Sequence, residues 1–505
     1  MTPLSDRIAQ SSISLYETLP KHGKPNVRDN GVPEWTILSV ISLVVRQPPT
    51  FDSDHSDVIV PVSLGTGVKV LPHHRLPPLG DAVHDCHGEI IARRGFIRWL
   101  IFQAALLDQK GNGRIGEGSH ALYVERGENG KLKLKDGVDV WLYVSALPCG
   151  DASTLYTAMH QPPEEASQWT EPPPIPHDSP APSPTPLFVS SHPLRGRNTY
   201  ATMSTLRTKP GRPDSPPTTS MSCSDKIATW VCVGLQGGIL ADLYEKVKLE
   251  GLVIGDVEQP PGWVDAKNVW EDKIEAEAAR ALYGRLESIW SMLPKEYPLH
   301  KPQLHFTSTP FSHSKPSISS TYPTAPEPQP SPLSLSFLPW LFVPDSNPGR
   351  PPKQSEREII SNGTRLGFLW KAPGTTLVRS KGRSRLCKIE ILLAYEGLLD
   401  TRQLKDKKTY WDYKHRPMSA YQTAKGLLRG IPKKAPGTGV WQQLGHVWST
   451  FAPEGTIEDK QAPPFKGWLS ACTKLVAGSF NYRIIDDYKK DVIMLTINTN
   501  VWVLN

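Results

Sequence analysis

One stretch constrains this chain more than any other: Val83-His84-Asp85-Cys86-His87-Gly88-Glu89-Ile90-Ile91-Ala92-Arg93-Arg94. His87 and Glu89 stand two apart where a long apolar-periodic segment begins. Ile90, Ile91, Phe96, Ile97, Leu100, Ile101 and Ala104 recur near helical spacing, which predicts a buried helix running to about Leu107. A His two residues ahead of a Glu at a helix start can hold a metal with the imidazole and leave the carboxylate free to move protons. Taken alone, such a pair is more often incidental, so the rest of the chain has to carry the argument.

Composition sets the bounds. A length of 505 residues can hold one large domain or two to three small ones. The formal net charge of +7 is compatible with a polyanionic partner without being diagnostic of one. Six cysteines (86, 149, 223, 232, 387 and 472) in so long a chain do not resemble a secreted disulfide framework. The start, Met1-Thr2-Pro3-Leu4-Ser5-Asp6, carries no basic segment followed by an apolar one, and no apolar run reaches membrane-spanning length. The expected compartment is therefore reducing, cytoplasm or nucleus, and not the secreted one.

Folded-looking blocks alternate with proline-rich interruptions. Residues about 5 to 19 suit a short amphipathic helix, and Trp35 to Val45 reads as a buried strand because it is β-branched and apolar. Further strands are expected near Asp57 to Leu64, over Val138 to Leu147 and over Leu249 to Ile254. Two proline-rich segments, about 158–200 and 300–355, read as disordered insertions because proline supports neither ladders nor helices. The alternation of strand and helix predicts an α/β layer fold with a C-terminal helical portion.

Three ligand candidates stand out: His87, Cys149 and Cys223. One imidazole, two thiolates and an open fourth position suit a catalytic zinc. A structural site closed by His84 or Cys86 is the alternative, although crowding at one helix start makes joint ligation with His87 awkward.

Six stretches then share an order with one known family: Ser63–Gly67, Asp85–Arg94, Ser145–Ala152, Leu206–Lys209, Met221–Lys226 and Ser384–Lys388. On them, over about residues 35 to 440, the chain resembles the eukaryotic adenosine deaminases that act on RNA, in their tRNA-specific branch. The 74-residue separation of Cys149 and Cys223 departs from the Pro-Cys-x-x-Cys spacing of compact nucleobase deaminases and agrees with this family. The resemblance implies a cytidine-deaminase-like three-layer α/β/α core. It would span 35–465, interrupted by the two insertions, after an N-terminal segment 1–34 and before a divergent tail 466–505.

It also implies roles. His87, Cys149 and Cys223 would hold one zinc ion, and Glu89 would shuttle protons as water replaces the amino group at C6 of adenine. A buried inositol hexakisphosphate would be held by Arg93, Arg94, Lys226, Lys388, Tyr410, Lys414, Tyr421 and Lys425. Asp85, Lys209 and Lys226 would link it to the Cys223 thiolate by hydrogen bonds, and Lys69 could meet an RNA phosphate. Thr229 stands where the family carries an arginine, which removes one expected phosphate contact. Gln442-Gln443-Leu444 stands where further ligand residues are expected, so the polyphosphate site is expected to be incomplete. Only about 35 residues precede the first strand, which leaves no room for a separate RNA-binding domain and favours the tRNA branch. The implied substrate is adenosine 37 beside the anticodon of alanine tRNA, with no DNA or membrane partner. A catalytically impaired RNA-binding relative, or one acting on double-stranded RNA, is the alternative.

Overall fold

A computed structural model describes residues 2–46, 57–77, 80–111, 122–160, 193–196, 202–209, 211, 215–261, 267–339, 355–368, 378, 380–399, 410–416, 419–429, 465, 480–482, 493–497 and 500–504. Its centre is an eight-stranded mixed sheet. The strands are β1 (Leu38–Val45), β2 (Val58–Thr66), β3 (Val138–Val144), β4 (Gly251–Ile254), β5 (Gln303–Phe306), β6 (Leu333–Leu338), β7 (Glu356–Ser361) and β8 (Thr364–Arg365), in the order β5-β4-β3-β1-β2-β6-β7-β8. Strands β3, β4 and β5 run parallel, while β1 is antiparallel to both β2 and β3.

Strand β1 is central because it is apolar on both faces. Val40 and Val44 join one core together with helix α1 (Leu4–Thr18), whose Ile8, Ala9, Ile13 and Tyr16 are buried against the sheet. Ile41 and Leu43 point the other way, into a larger core with helix α2 (Gly88–Gly111). Strand β3 repeats the pattern, with Trp141 and Tyr143 on the α1 side and Val140, Leu142 and Val144 on the other. This period of two is what makes a strand a wall between two helical layers. The result is the three-layer α/β/α core that the resemblance implies.

The α2 layer also holds helices α3 (Cys223–Val233) and α4 (Lys267–Leu282), and the C-terminal helices α5 (Lys388–Glu396) and α6 (Ala420–Arg429). Gly65 lets α2 lie directly on β2: a Cβ there would stand 2.5 Å from both the Ala92 nitrogen and the Gly88 oxygen.

One expectation is corrected. Much of the proline-rich stretch 300–355 is built into the fold, with β5 pairing to β4 and β6 inserted between β2 and β7. The prolines near β6 lie outside it: Pro330 ends the short strand Gln329–Pro330, which pairs with Glu34–Trp35, Pro332 precedes β6 and Pro339 follows it. The ladder therefore loses no donor from its interior. Segment 161–192, most of the other expected insertion, lies outside the described residues.

Candidate active site

Two sequence segments bring the thiols together. Strand β3 ends in Ser145-Ala146-Leu147-Pro148-Cys149-Gly150, where Gly150 has φ 103°. A Cβ at Gly150 would stand 2.2 Å from Ser222 Oγ, so only glycine lets the Cys149 loop approach the start of α3. Ser222 caps that helix: its Oγ accepts from the Asp225 N–H at 3.2 Å and donates to the Asp225 carboxylate at 2.7 Å. Cys223 thus opens the helix, and its N–H reaches the Cys149 sulfur at 3.4 Å.

His87 arrives from the third side. The short strand Asp85–His87 pairs with Val68–Val70 and runs straight into α2, placing Glu89 in the first helical turn. Exposed Lys69 lies opposite Cys86 in that ladder, beside the site. Asp85 organises the group. Its Oδ1 stands 2.9 Å from His87 Nδ1 and accepts the His87 N–H at 3.1 Å. Its Oδ2 accepts from Lys209 Nζ at 2.7 Å, from Ser220 Oγ at 2.8 Å and from Lys226 Nζ. Lys209 also donates to Cys223 Sγ at 3.1 Å. The chain of contacts Lys226–Asp85–Lys209–Cys223 therefore exists in the molecule.

Burial alone would raise the Asp85 carboxyl, but Lys209, Lys226 and His87 hold it well below the usual range. A hydrogen bond from Cys223, together with Lys209 and His87, favours the Cys149 thiolate, while burial pushes the Cys223 thiol up. Glu89 is 1 % exposed; burial, then the charge on Cys149, raises its carboxyl, and its Oε2 has no hydrogen-bond partner. Among the described residues, no group of three or more His, Cys, Asp or Glu side chains has the geometry of a formed metal cage. The donor set itself, an imidazole and two thiols in mutual contact beside a free carboxylate, is the chemistry a catalytic zinc takes.

Behind the thiols lies a basic cradle. Arg93 sits over the Trp230 ring at 5.2 Å and close to the Tyr421 and Tyr410 hydroxyls, and Arg94 donates to the Leu386 carbonyl. Lys414 lies over Tyr410 at 5.7 Å and Lys425 over Tyr421 at 5.9 Å. Lys388, at the start of α5, acts with Lys226 on buried His84, whose proton affinity burial pushes down to about 3. Arg93 Nε and Arg94 Nη2 are buried without hydrogen-bond partners.

Sequence reading did not single out several residues of this region. Ser220 is one; Asp151, Asp225, Arg280 and Arg285 form another set. Arg285 Nη2 stands 2.7 Å from Asp225 Oδ1 and Nη1 3.7 Å from Asp151 Oδ2, while Arg280 Nη1 reaches Asp151 Oδ2 at 2.8 Å. Each aspartate lies two residues after a thiol, so these pairs tie the two thiol loops to one another. The spacing Ser222-x-x-Asp225 was a legible cap signal. Arg429 is a further residue, four positions after Lys425 on the face of α6 that carries Tyr421. The positions from Trp441 to Leu444 and the tail after Phe465, apart from three short strands, lie outside the described residues.

Comparison with known proteins agrees with this geometry. Residues 63–443, more than half of the chain, match the adenosine-deaminase (editase) domain. A tRNA-specific adenosine deaminase 1 of Mus musculus is 26% identical over 85% of this chain and 96% of its own length. The tRNA-specific adenosine deaminase 1 of Schizosaccharomyces pombe is 34% identical over 44% of this chain, and the match spans about half of that protein (49%). A double-stranded RNA-specific editase of Drosophila melanogaster is 30% identical over 48% of this chain and 32% of its own length. No helix among the described residues is long and apolar enough to cross a membrane. The chain belongs to the adenosine-deaminase (editase) domain family.

Proposed function

We propose that this chain catalyses zinc-dependent hydrolytic deamination of adenosine to inosine in tRNA, at adenosine 37 beside the anticodon of alanine tRNA. The observation that carries this reading is Glu89, a carboxylate 1 % exposed with an unpartnered oxygen beside His87, Cys149 and Cys223. A buried polar atom without a partner is costly unless a ligand uses it.

His87, Cys149 and Cys223 would hold zinc, which when bound supplies an acidified water and a positive charge near the reacting carbon. Asp85 Oδ1 lies 2.9 Å from His87 Nδ1, which would leave Nε2 available to a metal. Lys209 stabilises negative charge on the Cys223 sulfur. Glu89 takes a proton from the attacking water as its oxygen bonds to C6 of adenine and gives it to N1. It then moves the remaining proton of the new C6 hydroxyl to the amino group as the C6–N bond breaks and the C6 carbonyl forms. Ammonia leaves and inosine remains. The adenine must be outside any base stack to reach this buried carboxylate, so a loop nucleotide suits the site.

Arg93, Arg94, Lys226, Lys388, Tyr410, Lys414, Tyr421 and Lys425 would hold inositol hexakisphosphate. The unpartnered Arg93 Nε and Arg94 Nη2 support this, because buried cations need neutralisation. The tRNA substrate is supported by the near full-length similarity to the mouse tRNA-specific enzyme. The test offers zinc-loaded protein three RNAs: alanine tRNA, the same tRNA with guanosine at position 37, and a long duplex. Inosine at position 37 of the first alone is expected. Inosine in the duplex and none in the tRNA would contradict the substrate, and none in any RNA would contradict the activity.

A further inference from the structure

We infer that Arg429 is a ligand of the buried polyphosphate, placing a cation from α6 at the point where α3 carries the neutral Thr229. The inference rests on the polyphosphate reading above and adds a residue to that site.

Helix periodicity puts Tyr421, Lys425 and Arg429 on one face of α6, at spacings of four and four. That face lies against α3. Arg429 Nη2 donates to Thr229 Oγ1 at 2.7 Å, and Thr229 directs its own hydroxyl proton to the Asp225 carbonyl at 2.9 Å. The threonine hydroxyl is therefore oriented to accept from the guanidinium and anchors it. Thr229 is one turn beyond Lys226 on α3, so Arg429 enters the row of cations that begins at Lys226. The next α3 residue, Trp230, carries Arg93 over its ring at 5.2 Å.

Arg93 and Arg429 thus converge on one turn of α3 from two different helices, with Tyr421 acting on both. Burial above all lowers each guanidinium to about 10; for Arg429 the charge of Arg93 is a smaller cause in the same direction, and Asp225 acts the other way. Both remain charged at neutral pH. Two buried like charges that repel each other are tolerable when one multivalent anion bridges them, and guanidinium forks match phosphate oxygens. The cations come from α2, α3, α5, α6 and the helix Tyr410–Lys414. A single phosphate cannot reach so many elements, so the ligand class is a polyphosphate.

The test uses the full chain purified without stripping. Bound phosphorus per protein is measured, and thermal shift is titrated with myo-inositol hexakisphosphate and, separately, with linear tripolyphosphate. Arg429→Met should lose most of the retained phosphorus and raise the half-saturating hexakisphosphate concentration about ten- to hundred-fold, the size of a lost charge-assisted hydrogen bond. Thr229→Arg combined with Arg429→Met returns a cation from the other helix and should restore most of the binding. A purely structural Arg429 would not be rescued in this way. If Arg429→Met binds like wild type while Arg93→Met does not, the Arg429 assignment is overturned and the site reading stands. If the paired variant fails to bind, soluble or not, the assignment is likewise overturned. Wild type with no phosphorus and no shift from either phosphate overturns the site reading and the inference together. A response to tripolyphosphate that equals or exceeds the response to hexakisphosphate supports the cradle with a linear ligand.

Discussion

Helix α3 takes part in two buried charge clusters of opposite character. At its start, Asp225 and the neighbouring Asp151 face Arg280 and Arg285, and every charge has an opposite at 2.7 to 3.7 Å. At the very next residue the row Lys226, Arg429, Arg93 begins, with Arg429 meeting α3 one turn on at Thr229. Among the described residues, no carboxylate stands within ion-pair distance of Arg93, Arg94 or Lys414. In the first cluster every cation finds its counter-charge within the fold, with Glu277 a further partner of Arg280. In the second Lys226 has a close carboxylate, Asp85, and on the polyphosphate reading proposed above a bound anion would neutralise the rest. On that reading the contrast separates two jobs: fixing the thiol loops, and holding a ligand that would reach the thiols through Lys226, Asp85 and Lys209.

The contrast can be broken experimentally. Arg285→Met should have the largest effect, because it leaves Asp151 and Asp225 buried without their shared partner. A stability loss of about 3–5 kcal/mol is expected in denaturant titrations, whether or not polyphosphate is present. A loss that disappears when polyphosphate is removed would merge the two clusters. Arg93→Met should change sign with loading. In the loaded protein it should cost roughly 1.5–3 kcal/mol, whereas in stripped protein it should be neutral or stabilising because it removes an uncompensated charge. Destabilisation of equal size in both states would contradict an unpaired cradle. Arg280→Met should have the smallest effect, about 1 kcal/mol, since its side chain is 24 % exposed and Arg285 still faces Asp151.

What the sequence disclosed follows the same division. The α2 periodicity after Glu89 and the apolar run of β1 were legible because a buried helix and a two-sided strand have patterns that solvent exposure would not produce. His87, Glu89, Cys149 and Cys223 were legible as donor types at helix starts and strand ends. Strand β6 was not, because Pro330, Pro332 and Pro339 dominate the composition around it. The Leu333, Leu335, Phe337 alternation carried the strand signal, with the prolines confined to its ends. Arg285 and Arg429 were not singled out because a lone arginine looks the same whether it faces water, a carboxylate or a phosphate. Only the fold brings Asp151 to Arg285 over a sequence separation of 134 and Arg429 to Thr229 over one of 200.

The most direct measurement compares wild type with Glu89→Gln in single-turnover inosine formation on alanine tRNA, with zinc per protein recorded for both. Glutamine keeps the size of the side chain but cannot carry the proton. The account predicts equal zinc content and a rate lowered by at least about 10²–10⁴-fold in the variant. Equal zinc with an unchanged rate would contradict the role of Glu89, and with it the central claim.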